Sequence, residues 1–506
     1  MSRWGLRRTT GRGALLAIAA VLCVAAAPTR RETPLEAALR QHVETLASDD
    51  FEGREPGTPG ETKTLRYLAR QWFDIGMESG TNDPAHGWFA PVELVEREPL
   101  SFRASFAKGR KRVILPQDAG LVVTSGIRSL VEDAPVLFVG HAIDRVPPRT
   151  DLAGRIALML DSGGNGAQGD PRADRLLDAG AAAVVTVLDG KRSIDDVIAR
   201  RKRAGYALSG ERLGDEIEAF VSPAAAQSLL AGLGSTATMA DLRREADGAD
   251  FSPRLLGIVG TLEATSRETR ISTHNLIGKL EGRNPAAGAV VFMAHWDHFG
   301  RCAEPPAEDL ICNGAVDNAS GLAVITETAR ILSRGRPLDR DVYFLATTGE
   351  ELGLLGALAF AENPPLPLDK IVAVLNVDGT GLAPAGQPFS VIGKGATPLD
   401  PGIAQVARAM RRKLTSSENA NAYIKRQDSW VFRQHDVPAV MVSTSYSDEA
   451  RLEKFMDEDY HRPSDEARKV QYGGMADDVL MQVELARYFA DARRYSSPVR
   501  GGVRTP

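Results

Sequence analysis

The chain has 506 residues, more than one ordinary domain of about 150 residues would use, so two or three folded units are expected. Apolar residues make up 43% and charged residues 25%, close to soluble averages, which excludes disordered, collagenous and disulfide-scaffold classes. A formal charge of -5 gives no basis for a nucleic-acid partner.

The chain opens with Arg3, Arg7, Arg8 and Arg12, then a near-continuous apolar run from Ala14 to Ala27 that closes on Ala25, Ala26 and Ala27. A basic start, a short apolar stretch and a small-residue exit read as a secretory signal peptide over residues 1–27. The run is shorter than the roughly 20 residues needed to span a bilayer. Arg7-Arg8 hints at twin-arginine export without the rest of that signal, and Cys23 lacks the small residues that lipidation wants before it. No second long apolar run follows, so no membrane span is expected after cleavage, and the destination is the periplasm or the exterior. Two cysteines then remain, Cys302 and Cys312. In an oxidising compartment they either close a small disulfide or stay as free thiols.

Residues 33–98 begin with two helices. Thr33-Pro34-Leu35-Glu36 is a capping box with Pro at the first helical position, and Leu35, Ala38, Leu39, Val43 and Leu46 give one apolar face. Thr58-Pro59-Gly60-Glu61 repeats the device, with Leu65, Leu68, Ala69, Trp72 and Phe73 as the next face and Gly76 as the stop. Residues 99–265 change to short apolar runs with turns. Val136–Val139, Ile156–Leu160 and Ala183–Leu188 read as strands and Arg172–Ala179 as a helix. No His/Asp/Glu cluster with ligand spacing appears there, so this is a β-rich, non-catalytic module.

From residue 266 to 495 strands and helices alternate, which argues for a mixed, mostly parallel sheet sandwiched by helices. Val290–Ala294, Val342–Ala346, Ile371–Val377 and Val437–Val442 are the strand candidates. Ser320–Ser333, Leu354–Ala361, Pro401–Lys413 and Met475–Arg493 are the helices. Residues 496–506 have no periodicity and read as a disordered tail.

In open α/β sheets, ligands gather at the carboxyl ends of strands. His295 and Asp297 follow the first strand candidate, Glu350 and Glu351 the second, Asp378 the third, and Tyr460-His461 come after the fourth. Asp317 enters on the turn that starts the Ser320 helix. Each motif alone has an ordinary structural reading as a surface pair, a solvated face or a turn. Together, two imidazoles and three carboxylates without cysteine suit zinc, cobalt or manganese, and availability favours zinc. With one bridging carboxylate, each of two ions receives three ligands: His295, Asp378 and Asp317 on one, and Glu351, His461 and Asp317 on the other. Glu350 is left over as general base on a metal-bridging water. Asp297 is placed to hydrogen-bond the free nitrogen of the His295 imidazole.

The segments AHWDH (294–298), NGAVDNASG (313–321), GEELGLLG (349–356), NVDG (376–379) and YHRPSD (460–465) resemble the family-28 zinc metallopeptidases, which include secreted bacterial aminopeptidases and glutamate carboxypeptidase II. The resemblance extends to HVETLASDDFEGREPGTPG at the start and THNLIGKLEG at 273–282. VLFVGHAID, DLAGRIALML and AGAAAVVTVL resemble an inserted protease-associated domain. The resemblance implies a zinc aminopeptidase fold, two zinc ions and peptide substrates. It gives the same five ligands with Asp317 bridging, Glu350 as base, Asp297 behind His295, and a cis peptide between Asp317 and Asn318. A tyrosine that polarises the substrate oxygen is also implied, and Tyr446 is the candidate, with half-buried packing as its alternative. The charged stretch from Ser445 to Asp459 is either a cap on the cleft or a surface loop. His298 either lines the cleft or is structural, and Trp430 and Phe432 either wall a specificity pocket or pack in the core. An exported exopeptidase of the aminopeptidase kind is therefore expected. The alternatives are a carboxypeptidase of the glutamate carboxypeptidase II type and a receptor-like relative without activity.

Overall fold

The computed structural model describes residues 31–496, except 86, 143–145, 162–170, 191–192, 198–204, 211–213 and 416–418. The segment read as a signal peptide, His86 and the tail from 497 onward lie outside the described residues. Among the described residues no helix is long and apolar enough to cross a membrane.

Helix α1 (Pro34–Leu46) starts at the expected capping box: Glu36 N donates to Thr33 Oγ1 at 3.2 Å and Thr33 N to Glu36 Oε2 at 2.7 Å. Helix α2 (Pro59–Ile75) starts differently from expectation. The Thr58 hydroxyl donates back to the Glu55 carbonyl at 2.6 Å and accepts no capping bond, while Glu61 accepts from Gly57 N at 2.6 Å. Leu39, Val43 and Leu46 of α1 and Leu65, Leu68 and Trp72 of α2 are buried in one core with a largely parallel sheet.

That sheet carries strands β8 (Ala289–His295), β9 (Asp341–Thr347), β10 (Ile371–Asn376) and β12 (Ala439–Ser443), which run parallel in the order β12-β10-β8-β9. Antiparallel strands flank them: β11 (Ser390–Ile392) beside β12, and the end of β7 (Arg254–Leu280) beside β9. Every residue of β8, β9 and β10 is buried, as strands covered on both faces must be. Helices α5 (Ser320–Ser333) and α9 (Tyr472–Phe489) cover one face. Helices α6 (Leu355–Glu362) and α7 (Ser429–Gln434) cover the other, where Phe432 is fully buried core rather than a pocket wall.

The junctions differ from expectation. β1 (Phe89–Lys108) and β7 pair antiparallel from Phe89↔Leu276 to Ala107↔Val259, so the boundaries expected at 98/99 and 265/266 fall inside two continuous strands. The run Glu96-Arg97-Glu98 is charged throughout. It lies in this two-stranded ribbon, where Arg97 pairs with Glu268 at 2.9 Å and Glu98 with Arg267. Cross-strand pairs of opposite charge suit a ribbon of which one side meets water.

The far end of the ribbon joins a second sheet. β3 (Arg128–Phe138), β4 (Ile156–Leu160), β5 (Ala183–Val187) and β6 (Ile217–Val221) are parallel neighbours, and β2 (Gly120–Thr124) closes the edge antiparallel to β6. Helices α3 (Pro223–Gly232) and α4 (Met239–Ala246) pack on it. This part is therefore mixed α/β with its own core around Phe106, Val136, Ile156 and Leu242, not mainly β.

Candidate metal centre

The parallel strands all end at one edge, and the polar side chains gather there. His295 is the last residue of β8, Glu350 and Glu351 follow β9, and Asp378 follows β10. Asp317 sits in the tight turn Ala315–Ala319 that opens α5, and the Asp317–Asn318 peptide is cis. His461 arrives in a left-handed conformation, φ 56°, just past helix α8 (Glu449–Glu458).

The two carboxylate oxygens of Asp317 face different histidines. Oδ1 lies 3.1 Å from His295 Nε2, and Oδ2 lies 3.3 Å from His461 Nε2. Asp378 Oδ1 is 3.3 Å from His295 Nε2, and Glu351 Oε2 is 3.0 Å from His461 Nε2. Ligand atoms of His295, Asp317 and Glu351 lie within 4.8 Å of one another, as do those of His295, Glu350 and Asp378. All five residues predicted as ligands, and Glu350, are thus brought together.

The electrostatics are those of crowded acids. Burial first, and then Asp378, Glu351 and Asp428 against the help of His295, push the Glu350 carboxyl well above its ordinary range. Burial also opposes ionisation of Asp317, but the His295 and His461 imidazoles beside it outweigh burial and hold that carboxyl well below normal. His461 loses to burial but gains more from Glu351 and Asp317, and rises to about 9. The donor set fits divalent cations. His461 Nε2 is buried without a well-directed hydrogen bond although two carboxylates stand beside it, the arrangement of atoms that converge on a shared point. Imidazole and carboxylate donors without thiolate match zinc.

Asp297 is placed otherwise than expected. His295 Nδ1 hydrogen-bonds the Asp297 main-chain carbonyl at 3.0 Å, while the carboxylate oxygen is 3.8 Å away. That carboxylate accepts instead from the main-chain N–H groups of Glu350 at 3.1 Å and Glu351 at 3.3 Å. It orients the two glutamates, and burial raises it to about 7. Asp465 plays the matching part on the other side, accepting from Val316 N at 3.0 Å and Asp317 N at 3.1 Å. Its place four residues after His461 was the available signal. His298 does not line the cleft: it is 1% exposed and its Nδ1 lies 2.6 Å from Glu351 Oε1. Arg54, which no spacing pattern marks, lies buried beneath the loops.

A cleft of about 480 Å³ opens over Asp317, Glu350 and Asp378. Tyr446 and Tyr460 both line it. The Tyr446 hydroxyl lies over Gly379, where an added Cβ would approach it to 2.8 Å. Tyr460 stacks on the His461 ring at 3.6 Å and its hydroxyl accepts from Arg426 at 3.1 Å. The Ser445–Asp459 stretch is mostly helix α8, and it turns Leu452, Phe455 and Met456 toward the cleft. A disulfide joins Cys302 and Cys312 in the loop between His298 and Asn313.

Fold and centre together define a mixed α/β protein with a candidate metal site at the carboxyl edge of its sheet. Residues 275–489 match the model of peptidase family M28. The alkaline phosphatase isozyme conversion protein of Escherichia coli (strain K12) is 36% identical over 102 residues, 18% of this chain and 29% of that protein. The vacuolar membrane protease of Saccharomyces cerevisiae (strain ATCC 204508 / S288c) is 31% identical over 116 residues, 23% of this chain and 11% of that protein. The chain spans less than a third of the length of these relatives. The aminopeptidase from Aneurinibacillus sp. strain AM-1 superposes with a TM-score of 0.54 at 16% identity, over 93% of this chain and 98% of that one, and shares the fold.

Proposed function

We propose that this chain is an exported, zinc-dependent exopeptidase that removes N-terminal residues from peptides. The observation that carries the reading is Asp317, whose two oxygens serve two histidines on opposite sides. His295, Asp317 and Asp378 would hold one ion and His461, Asp317 and Glu351 a second. When bound, the ions supply Lewis acidity for the scissile carbonyl and for water.

The chain's own groups do the rest. Glu350, held by Asp297 through its main-chain N–H, takes the proton of the attacking water on its carboxylate and passes it to the leaving amine. Of the two cleft tyrosines we assign the donor to the developing oxyanion to Tyr460 rather than Tyr446. Arg426 donates to the Tyr460 oxygen, which leaves the phenolic proton for the substrate. Tyr446 packs against Tyr423 at 5.7 Å and forms the cleft wall. Leu452 and Met456 of α8 offer apolar contact to a substrate side chain. The part around β2–β6 is read as an inserted protease-associated module, and residues 1–27 as the export signal.

Arg426 at the cleft favours a second reading, since a guanidinium there suits the free carboxylate of a carboxypeptidase substrate. Aminoacyl-p-nitroanilides and N-blocked peptides separate the two. Chelator-sensitive release from Leu- or Ala-anilide is expected. Hydrolysis of N-blocked peptides alone would replace the aminopeptidase by the carboxypeptidase.

A further inference from the structure

Outside the stretch that matches the family, the turn Asp49–Arg54 reaches under the metal-binding loops. Glu52, Gly53 and Arg54 are consecutive left-handed residues, with φ 52°, 66° and 53°. The curl sends the Arg54 side chain inward, where it is 0% exposed. Its guanidinium hydrogen-bonds main-chain carbonyls. Nε donates to Trp296 O at 2.9 Å, Nη1 to Leu46 O at 2.9 Å and Asn313 O at 2.6 Å, and Nη2 to Gly314 O at 3.0 Å.

The main chain adds two ties. His298 N donates to Arg54 O at 3.2 Å and Gly300 N to Gly53 O at 3.0 Å. Gly53 permits this approach, because a Cβ there would stand 2.6 Å from Cys312 O and 2.7 Å from the Gly300 Cα. Trp296 is the neighbour of His295, and Asn313-Gly314 lead into Asp317. One side chain therefore joins the loop after the first histidine to the loop before the bridging aspartate. A buried guanidinium is costly unless its donors are satisfied. Lysine would bring the same charge, but only the planar fork reaches carbonyls from three segments at once.

We propose that Arg54 is a positioning residue of the metal centre: its guanidinium sets the separation of His295 and Asp317. The assignment rests on the two-metal reading above. It makes the N-terminal turn part of the catalytic unit, although the family match begins more than two hundred residues later.

Arg54→Lys in the full chain tests it, because the charge is kept and the fork is lost. Zinc affinity is read by competition with a chromophoric chelator, and folding by melting of the metal-free protein. Melting within a few degrees of wild type is expected, together with zinc affinity weakened by about 10- to 100-fold, the range for outer partners of metal ligands. A lower kcat at unchanged KM should accompany it. Arg54→Gln, which removes the charge as well, should be no less impaired. Lysine binding zinc as tightly as wild type would overturn the proposal. So would a lysine variant that cannot fold with or without zinc, since Arg54 would then support the domain rather than the centre. A wild-type chain that takes up no zinc would instead fail the metal reading itself.

Discussion

Asp317 and Glu350 are close neighbours with opposite expected behaviour. Asp317 offers one oxygen to each histidine, so Asp317→Asn should lower zinc content from two ions per chain toward none, as read by elemental analysis. Glu350 is read as the general base and is not counted among the five proposed ligands. Glu350→Gln should keep two zinc ions and lose about a thousandfold in kcat, within the usual range for a general base. Equal zinc loss in both variants would return Glu350 to the ligand set. For the tyrosines, Tyr460→Phe should lower kcat by about a hundredfold or more at near-constant KM, as loss of an oxyanion donor does, and Tyr446→Phe much less. Of the proposed ligands, His295, Glu351 and Asp378 were legible because each stands at or just past the end of an apolar run of strand length, and Asp317 because it opens the α5 helix. Asp297 was placed correctly in the site but given the wrong partner: spacing shows proximity to His295, not which of its oxygens faces the ring. Arg54 was illegible for a related reason. Its partners are carbonyls, which every residue has, and most of them lie some 250 residues away.

Among the elements, the four parallel strands and α5 could be read from the sequence because buried strands are continuous apolar runs and helices show a stripe. Helix α8 was harder, since charge dominates its composition. The signal was nevertheless there. Asp448 caps the start by accepting from Arg451 N at 3.0 Å, and Leu452, Phe455 and Met456 recur at helical spacing. Met456 touches the cleft without being central to the core, so Met456→Ala should raise KM for large apolar N-terminal residues several-fold and leave kcat nearly unchanged. Steady-state kinetics on Leu- and Ala-anilides check this. An equal effect on both substrates would show that α8 does not contact the side chain. The capping box at Thr58 failed because its pattern contains no information on the Glu55 carbonyl, toward which the hydroxyl turns instead.

On the scale of the molecule, the sequence shows two kinds of patterning but hides how they are joined. A charged ribbon and a linker have similar composition, and only pairing across more than 150 residues distinguishes them. Ser101 and Thr265 are directly opposed, with hydroxyls 2.8 Å apart. Joining them by an Asn-Gly turn, and so deleting 102–264, should leave a folded chain that still binds two zinc ions. It should melt lower, because Leu208 leaves its cluster with Leu94 and Leu355. Loss of zinc binding on deletion would show that the second sheet is integral to the centre. The same ribbon also limits how the intact chain can move. Two paired strands clamped into a sheet at each end act as a leaf spring, not a swivel. Apart from one register shift, between Thr265 and Ser266, the ladder is unbroken, so small elastic deflections are expected of the second sheet rather than a swing. For the proposed exopeptidase, selection of peptides by size would then depend on a fixed clearance, and should change little with solvent viscosity.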